Sequence, residues 1–294
     1  MADAARTAKT AGAGGRRRTV DGGRGRSNWW VHLVLGTGGA LMVFPFVWQI
    51  IAALSTNAEV MSVPPSWLPD SPQWSNFTAV FERLPFARQL GVSVAITVLR
   101  TAAQLLFCAM AGYAFARMRF PAKGVLLAVV LSILMVPPQV FLLPQYQIVT
   151  SLGLLNSVLG VALPGLVSAF GTFLMRQFFL GVPRELEEAA RLDGANPLQT
   201  FAYVMLPLAR PALTALAIIT VLYSWNDLLW PLVVTTYPEQ MPLSVGLATM
   251  QGAHQTDYPV MMAASLLATA PVIVMFLLLQ RRVIDGLAYS GLKG

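Results

Sequence analysis

The stretch Pro183-Arg184-Glu185-Leu186-Glu187-Glu188-Ala189-Ala190-Arg191-Leu192-Asp193-Gly194-Ala195-Asn196-Pro197-Leu198-Gln199-Thr200-Phe201-Ala202-Tyr203-Val204-Met205-Leu206-Pro207 is polar and helix-capped, yet it lies between long apolar runs. Pro183 suits a first helical position, and Glu185, Glu187 and Glu188 put negative charge where a helix dipole is positive. Gly194 is free to take a left-handed C-cap, which ends that helix. Asn196-Pro197 then reads as the N-cap and first residue of a second helix. Leu198, Phe201, Ala202 and Met205 share a face of it until Pro207 stops it. The pattern predicts a helix-turn-helix lying on a membrane surface.

The flanks of this stretch set the class. Of 294 residues 56% are hydrophobic and 11% charged. A mean hydropathy of +0.62 is far from that of a soluble domain. These values predict an all-α polytopic membrane protein. The net charge of +7 does not point to nucleic acid, because Arg6, Lys9, Arg16, Arg17, Arg18, Arg24 and Arg26 gather at the N-terminus as an orientation signal. Within the hairpin itself two arginines face four carboxylates, the wrong balance for binding phosphates. Cys108 has no partner for an intrachain disulfide, and His32 and His254 stand too far apart to suggest a metal site.

Residues 1–30 are Ala/Gly/Arg-rich and predict a disordered tail. Trp29 and Trp30 suit a membrane interface, and Val31 to about Leu54 is long enough to span. That run is also longer than a signal-peptide core and lacks a small-x-small cleavage site, so it reads as an uncleaved anchor. Ser55 to Arg88 is polar, with Pro64, Pro65, Pro69 and Pro72 among Trp67, Trp74, Phe77 and Phe81, which predicts an ordered loop.

Further spans are expected at about 89–116, 124–143, 157–178, 209–233 and 258–280, which makes a six-helix domain of 31–280 with a tail of 281–294. Pro137 and Pro138 should kink or unwind the third span, freeing carbonyls that neighbouring helices or a water-filled path must satisfy. Counted by side, fifteen Lys and Arg fall with the tail, the Arg117 turn, the hairpin and the C-terminus, against Arg83 and Arg88 opposite. That asymmetry places both termini and the hairpin in the cytoplasm.

The spacing Glu188-Ala189-Ala190, then Gly194, Val204 and Leu206-Pro207 closely resembles the EAA loop of permease subunits of ATP-binding-cassette importers. The resemblance implies a type I importer permease in a bacterial cytoplasmic membrane, with a cytoplasmic loop that docks on a separate ATPase. Glu187, Glu188, Ala189, Ala190, Asp193, Gly194 and Pro207 are the implied coupling residues. Ala189 and Ala190 leave room for close approach, while Glu188 and Asp193 offer charge-assisted hydrogen bonds.

Other segments resemble the carbohydrate, maltose-permease-like branch: Val63 to Pro69 with Asn76-Phe77, Tyr113 to Pro121, the glycine-punctuated end from Gly286, and Ser224-Trp225-Asn226-Asp227-Leu228-Leu229-Trp230-Pro231. The implied partners are a second homologous permease, two ATPase subunits, an extracytoplasmic solute-binding protein and the lipid bilayer, and no nucleic acid. No lysine ends a Gly-x-x-x-x-Gly-Lys-Ser/Thr loop, so the chain is expected to hold no cofactor, with ATP bound by the partner. Maltodextrin, another oligosaccharide, a monosaccharide and glycerol 3-phosphate all fit as solute.

Trp225, Asn226, Asp227 and Trp230 are candidate substrate-path residues, since indole faces stack on sugar C–H surfaces and amide or carboxylate groups bond hydroxyls. Arg100 and Gln104 join them. Arg100 stands near the middle of the second span, where a charge costs several kcal/mol without a partner. Ser93, Thr97, Arg100, Thr101 and Gln104 recur at helical spacing, opposite lipid-compatible Val98, Leu105 and Leu106. That stripe should face a path or a partner, with Asp227 as one possible mate for Arg100. An ion-coupled secondary transporter is the rival class, and Asp227 is its strongest intramembrane carboxylate. A membrane enzyme is less favoured, because no His, Cys or carboxylate cluster exists.

Overall fold

The computed structural model describes residues 29–64, 66–252 and 256–290, with side chains described as far as Leu277. The basic tail, His254 and the last four residues of the glycine-punctuated end lie outside these. Two units result, Met1–Phe46 and Val47–Gly294. Helix α1 (Trp29–Ala53) supplies all that is described of the first, an unbroken apolar helix that carries Pro45 without ending.

In the second unit the predicted polar loop is ordered by caps. Thr56 and Glu59 form a reciprocal capping box at the start of α2 (Asn57–Met61). Amide N–H groups of Thr56 and Asp70, with the Thr56 hydroxyl, donate to the Glu59 carboxylate and hold it below the usual range. Asn76, in α3 (Ser75–Arg83), donates to the carbonyls of Ala53 at 2.9 Å and Ser55 at 3.0 Å, so the end of α1 is not left unpaired. Arg83 closes the loop on Asp257 at 2.7 Å.

Helix α4 (Phe86–Arg117) runs for 32 residues without a break and is the spine. It packs chiefly on α8 (Ala169–Gly181) and α12 (Arg210–Trp225). Gly112 allows the closest approach, since a Cβ there would lie 2.6 Å from the Met175 Cβ and 2.8 Å from the Arg176 nitrogen.

Around this spine the third, fourth and fifth expected spans are broken. The third, expected to kink or unwind at Pro137-Pro138, breaks there: α5 (Lys123–Ser132) with a short 3-10 turn is followed by a 104° change of direction into a second piece containing α6 (Leu142–Ser151). Val136 and Pro137 are both extended, as a residue before proline prefers, so two consecutive prolines redirect the chain instead of bending a helix. Helix α6 runs on past 143, where the third span was expected to end.

The fourth span bends by 47° at Pro164-Gly165, between α7 (Val158–Ala162) and α8. Ser157 and Ser168 cap the two pieces through the amides of Gly160 and Gly171. Between α8 and α12 lies the polar hairpin. The fifth span ends earlier than expected, at Trp225, and the chain resumes as α13 (Leu229–Val234). A further short helix, α14 (Leu243–Thr249), has no counterpart in the sequence reading. The last helix, α15 (Tyr258–Ser290), runs through the start of the segment expected as a tail.

Among the described residues three helices are long and apolar enough to cross a membrane as they stand, and up to six spans result if each bent pair is one. The elements are helical throughout the described residues, as expected from the sequence.

Candidate coupling hairpin and transport cavity

Helix α9 (Glu185–Leu192) forms the first arm of the hairpin, with three acidic residues in its first turn and Arg191 in its last. Gly194 has φ +83°, the left-handed cap expected of it, and the amides of Asp193, Gly194 and Ala195 return to the carbonyls of Ala189, Arg191 and Ala190. Asn196 and Gln199 then exchange side-chain and backbone hydrogen bonds at 2.9 Å each, the N-cap expected before Pro197.

The second arm departs from expectation. After α10 (Pro197–Gln199) the chain widens into a π-helical stretch, Thr200–Met205, and then α11 (Leu206–Leu208). Pro207 therefore does not stop the arm. A proline in an α-helix loses its own donor and its ring crowds the carbonyl four residues back, here Tyr203. The wider π turn accommodates that carbonyl, and the arm continues to Leu208 before bending 75° into α12. The wider turn also changes the inner face. Thr200, Phe201, Met205 and Ala209 are buried, whereas Leu198 and Ala202, expected beside Phe201, are exposed.

The inner face anchors the hairpin. Phe201 stacks on Tyr113 and Phe179, with ring centroids 5.2 and 6.4 Å apart. Ala190 is buried. Glu187, grouped by the sequence with the docking residues, instead points inward, its Oε1 lying 3.1 Å from Arg117 Nε at the end of α4. Arg191 stands 3.9 Å from the other carboxylate oxygen, and Arg117 also donates to the carbonyl of Val182.

The outer face presents Glu188, Ala189, Asp193, Gly194 and Pro207 to solvent. With them stand Leu192, 90% exposed, Leu198 and Tyr203. The sequence reading passed over Leu192, although it lies four residues from Glu188 and so on the same helical face.

In the membrane-spanning part, α4 turns a stripe of polar side chains toward the breaks in its neighbours. Gln89 donates to the Pro238 carbonyl, and Ser93 accepts from the Leu243 amide. Thr97 meets Ser224. Arg100 donates to Asp227 at 2.8 Å and to the carbonyls of Val161 at 2.6 Å and Ala162 at 3.4 Å. Gln104 donates to the Gly165 carbonyl at 2.7 Å and accepts from Thr220. Apart from Thr220, which lies within α12, the partners sit where a neighbouring helix ends or is interrupted, so the stripe supplies the polar contacts that lipid cannot. Thr101 leaves the stripe. It lines a separate apolar cavity of about 470 Å³ with Val94, Val98, Trp225 and Pro271.

A cavity of about 820 Å³ opens beside the stripe, lined by Arg100, Gln104, Thr220, Ser224, Asn226 and Asp227 with exposed Tyr223. It gathers four of the six candidate path residues. Arg100 enters it already engaged by three acceptors, so it acts as a clasp and offers no free cation. Trp225 faces the apolar cavity and donates to the Ala268 carbonyl at 3.2 Å. Trp230 is buried and donates to the carbonyls of Gly160 and Val161. Neither indole lines the polar cavity. Asp227, with 24% of its side chain exposed, and Asn226 remain open to it.

The chain belongs to the family of binding-protein-dependent transport system inner membrane components, whose model matches residues 105–286. It is 36% identical over 257 residues to the arabinooligosaccharides transport system permease protein AraQ of Halalkalibacterium halodurans, covering 86% of this chain and 92% of that protein. It is 33% identical over 267 residues to the sn-glycerol-3-phosphate transport system permease protein UgpE of Pectobacterium atrosepticum, covering 88% and 95%. Among solved structures it is similar to a bacterial ABC transporter that imports the acidic polysaccharide alginate, with a TM-score of 0.76 at 24% identity over 87% of this chain and 97% of that one. The chain is thus a permease subunit of the inner membrane, not an enzyme, and works with ATPase and solute-binding subunits.

Proposed function

We propose that the chain forms half of the path through which a sugar or sugar-like solute is imported, and that the outer face of its hairpin seats the ATPase that drives the step. The observation that carries this reading is the division of the hairpin into two faces. One is anchored on α4 and α8; the other leaves Glu188, Ala189, Leu192 and Asp193 uncovered around a left-handed glycine. Large apolar side chains exposed next to carboxylates are what a protein partner recognises, not what water favours. The companions are a second permease, a pair of ATPases and an extracytoplasmic binding protein, with both termini and the hairpin cytoplasmic. Asn226 and Asp227 are the solute contacts this chain offers, since both remain open to the polar cavity.

Ion-coupled transport fits less well. Its strongest carboxylate, Asp227, is already matched by Arg100. The test is Gly194→Asp, which puts a side chain on a backbone at φ +83° and displaces Glu188 and Ala189. Membrane insertion should persist, while ATPase co-purification and uptake of arabinotriose or sn-glycerol 3-phosphate, whichever the wild type carries, fall more than tenfold. Wild-type uptake by a well-expressed Gly194→Asp variant would overturn the reading.

A further inference from the structure

The coupling residues divide into two kinds, and the buried one has a separate task. Glu187 and Arg117 have 7% and 6% of their side chains exposed, so the pair is an internal contact of this chain and not part of the docking face. It joins the first arm of the hairpin to the last residue of α4. The closest atoms, Glu187 Oε1 and Arg117 Nε, are buried 3.1 Å apart, and neither makes an aligned hydrogen bond. Arg117 is held by the Val182 carbonyl just ahead of the hairpin, and Glu187 by Arg191 on its own helix. A buried ion pair without aligned hydrogen bonds is poorly compensated for its desolvation, so small shifts of the hairpin change its energy steeply. Helix α4 then runs unbroken to Arg100, about 26 Å away at 1.5 Å per residue, where the clasp to Asp227 forms one wall of the cavity.

We propose that Arg117 and Glu187 are positioning residues that form the joint by which movement of the hairpin is passed to α4, and through the Arg100–Asp227 clasp to the cavity wall. This rests on the coupling role proposed for the hairpin. The joint is electrostatic on the first arm, while the second arm is attached by the Tyr113, Phe179 and Phe201 rings, which resist sliding but carry no directional charge. Loss of the Glu187 charge therefore leaves the hairpin seated but no longer pulling on α4.

The experiment uses the assembled importer, with ATPase subunits that bind ATP without hydrolysing it. A cysteine replaces Tyr223, which is 78% exposed and lines the cavity, and its labelling by an impermeant maleimide is read on this chain by mass. With the wild-type joint, ATP should change the labelling rate at least fivefold. Glu187→Gln and Arg117→Gln should assemble and bind ATP yet respond less than 1.5-fold, while Arg117→Lys, which keeps the charge, retains at least half of the response. A Glu187→Gln complex that responds like wild type overturns the joint. So does loss of assembled complex in both Gln variants and in Arg117→Lys, which makes the pair a folding contact alone. If the wild-type complex itself gives no response to ATP while the ATPases remain bound, the coupling reading of the hairpin fails, and the joint with it.

Discussion

Helix α4 holds two buried arginine–carboxylate pairs that differ in completeness. At Arg100 the guanidinium has three acceptors in reach, Asp227 keeps part of its carboxylate on the cavity, and the contact spans segments that proline and glycine have broken. At Arg117 both partners are deeper, yet their nearest atoms lack aligned hydrogen bonds. A fully bonded pair is fixed in place, and an imperfect one has a better geometry elsewhere. One helix thus carries a fully bonded clasp in the membrane and an incompletely bonded joint at its hairpin end.

The sharpest way to break this comparison is Arg100→Leu. It leaves Asp227 without its cation and takes the guanidinium N–H groups from the Val161 and Ala162 carbonyls, of which Val161 keeps the Trp230 indole as donor, and removal of one partner from a buried pair costs about 3–5 kcal/mol. The expected result is little assembled complex and a markedly lower melting temperature in detergent. Wild-type assembly and wild-type uptake together would show that the guanidinium clasps nothing of consequence.

A smaller effect is expected from Gly112→Ala, on the face of α4 toward α8. The added methyl meets backbone and Cβ atoms of Met175 and Arg176, which cannot rotate away, so the helices must part at about 1–3 kcal/mol. Because Gly112 lies little more than a turn from Arg117, coupling should suffer before the clasp does. Maleimide labelling at Tyr223→Cys would report this as a weakened response to ATP in a complex that still assembles. An unchanged response alongside an unchanged melting temperature would mean that the two helices have slack.

The least effect is expected at Glu59, which belongs to neither pair and lies in the polar loop. Its folded-state carboxyl titrates below the ordinary value of 4.5, because three hydrogen bonds favour the charged form. The stabilisation is therefore complete above that value and lost as pH falls through the lower, folded one. Exchange protection of the Thr56 and Asp70 amides should be flat from pH 8 to 6 and decline in the acid range, with Glu59→Gln removing the decline. A decline that persists in Glu59→Gln would place its origin in another group.

Much of this was legible in the sequence. The caps at Gly194 and Asn196 follow from local stereochemistry, and the polar stripe of Ser93, Thr97, Arg100 and Gln104 follows from helical periodicity. Asp227 was named there as a possible mate for Arg100. The carbonyls that complete the clasp were not legible, because they belong to residues sixty positions away and are freed by breaks whose angles local sequence does not set. Thr101 was misgrouped since it follows Arg100 by one residue, a 100° rotation that turns it to the apolar cavity. The inward turn of Glu187 was equally hidden. Three glutamates within four positions look alike, and only the placement of Arg117 distinguishes one of them.

The π-helical stretch in the second arm has a consequence for chain length. Such a turn holds one residue more than an α-helix of the same course, so the segment Thr200–Met205 stores what is in effect an insertion. Removing one of its residues would let the ladder tighten to the α spacing while the chain downstream keeps its course, because the wide turn has already absorbed the extra residue. Ala209, where the chain turns into α12, would then stay on the buried face. A residue added without further widening would instead swing everything downstream by about 100° about the axis, so the arm is more tolerant of a deletion within Thr200–Met205 than of an insertion between Asn196 and Arg210.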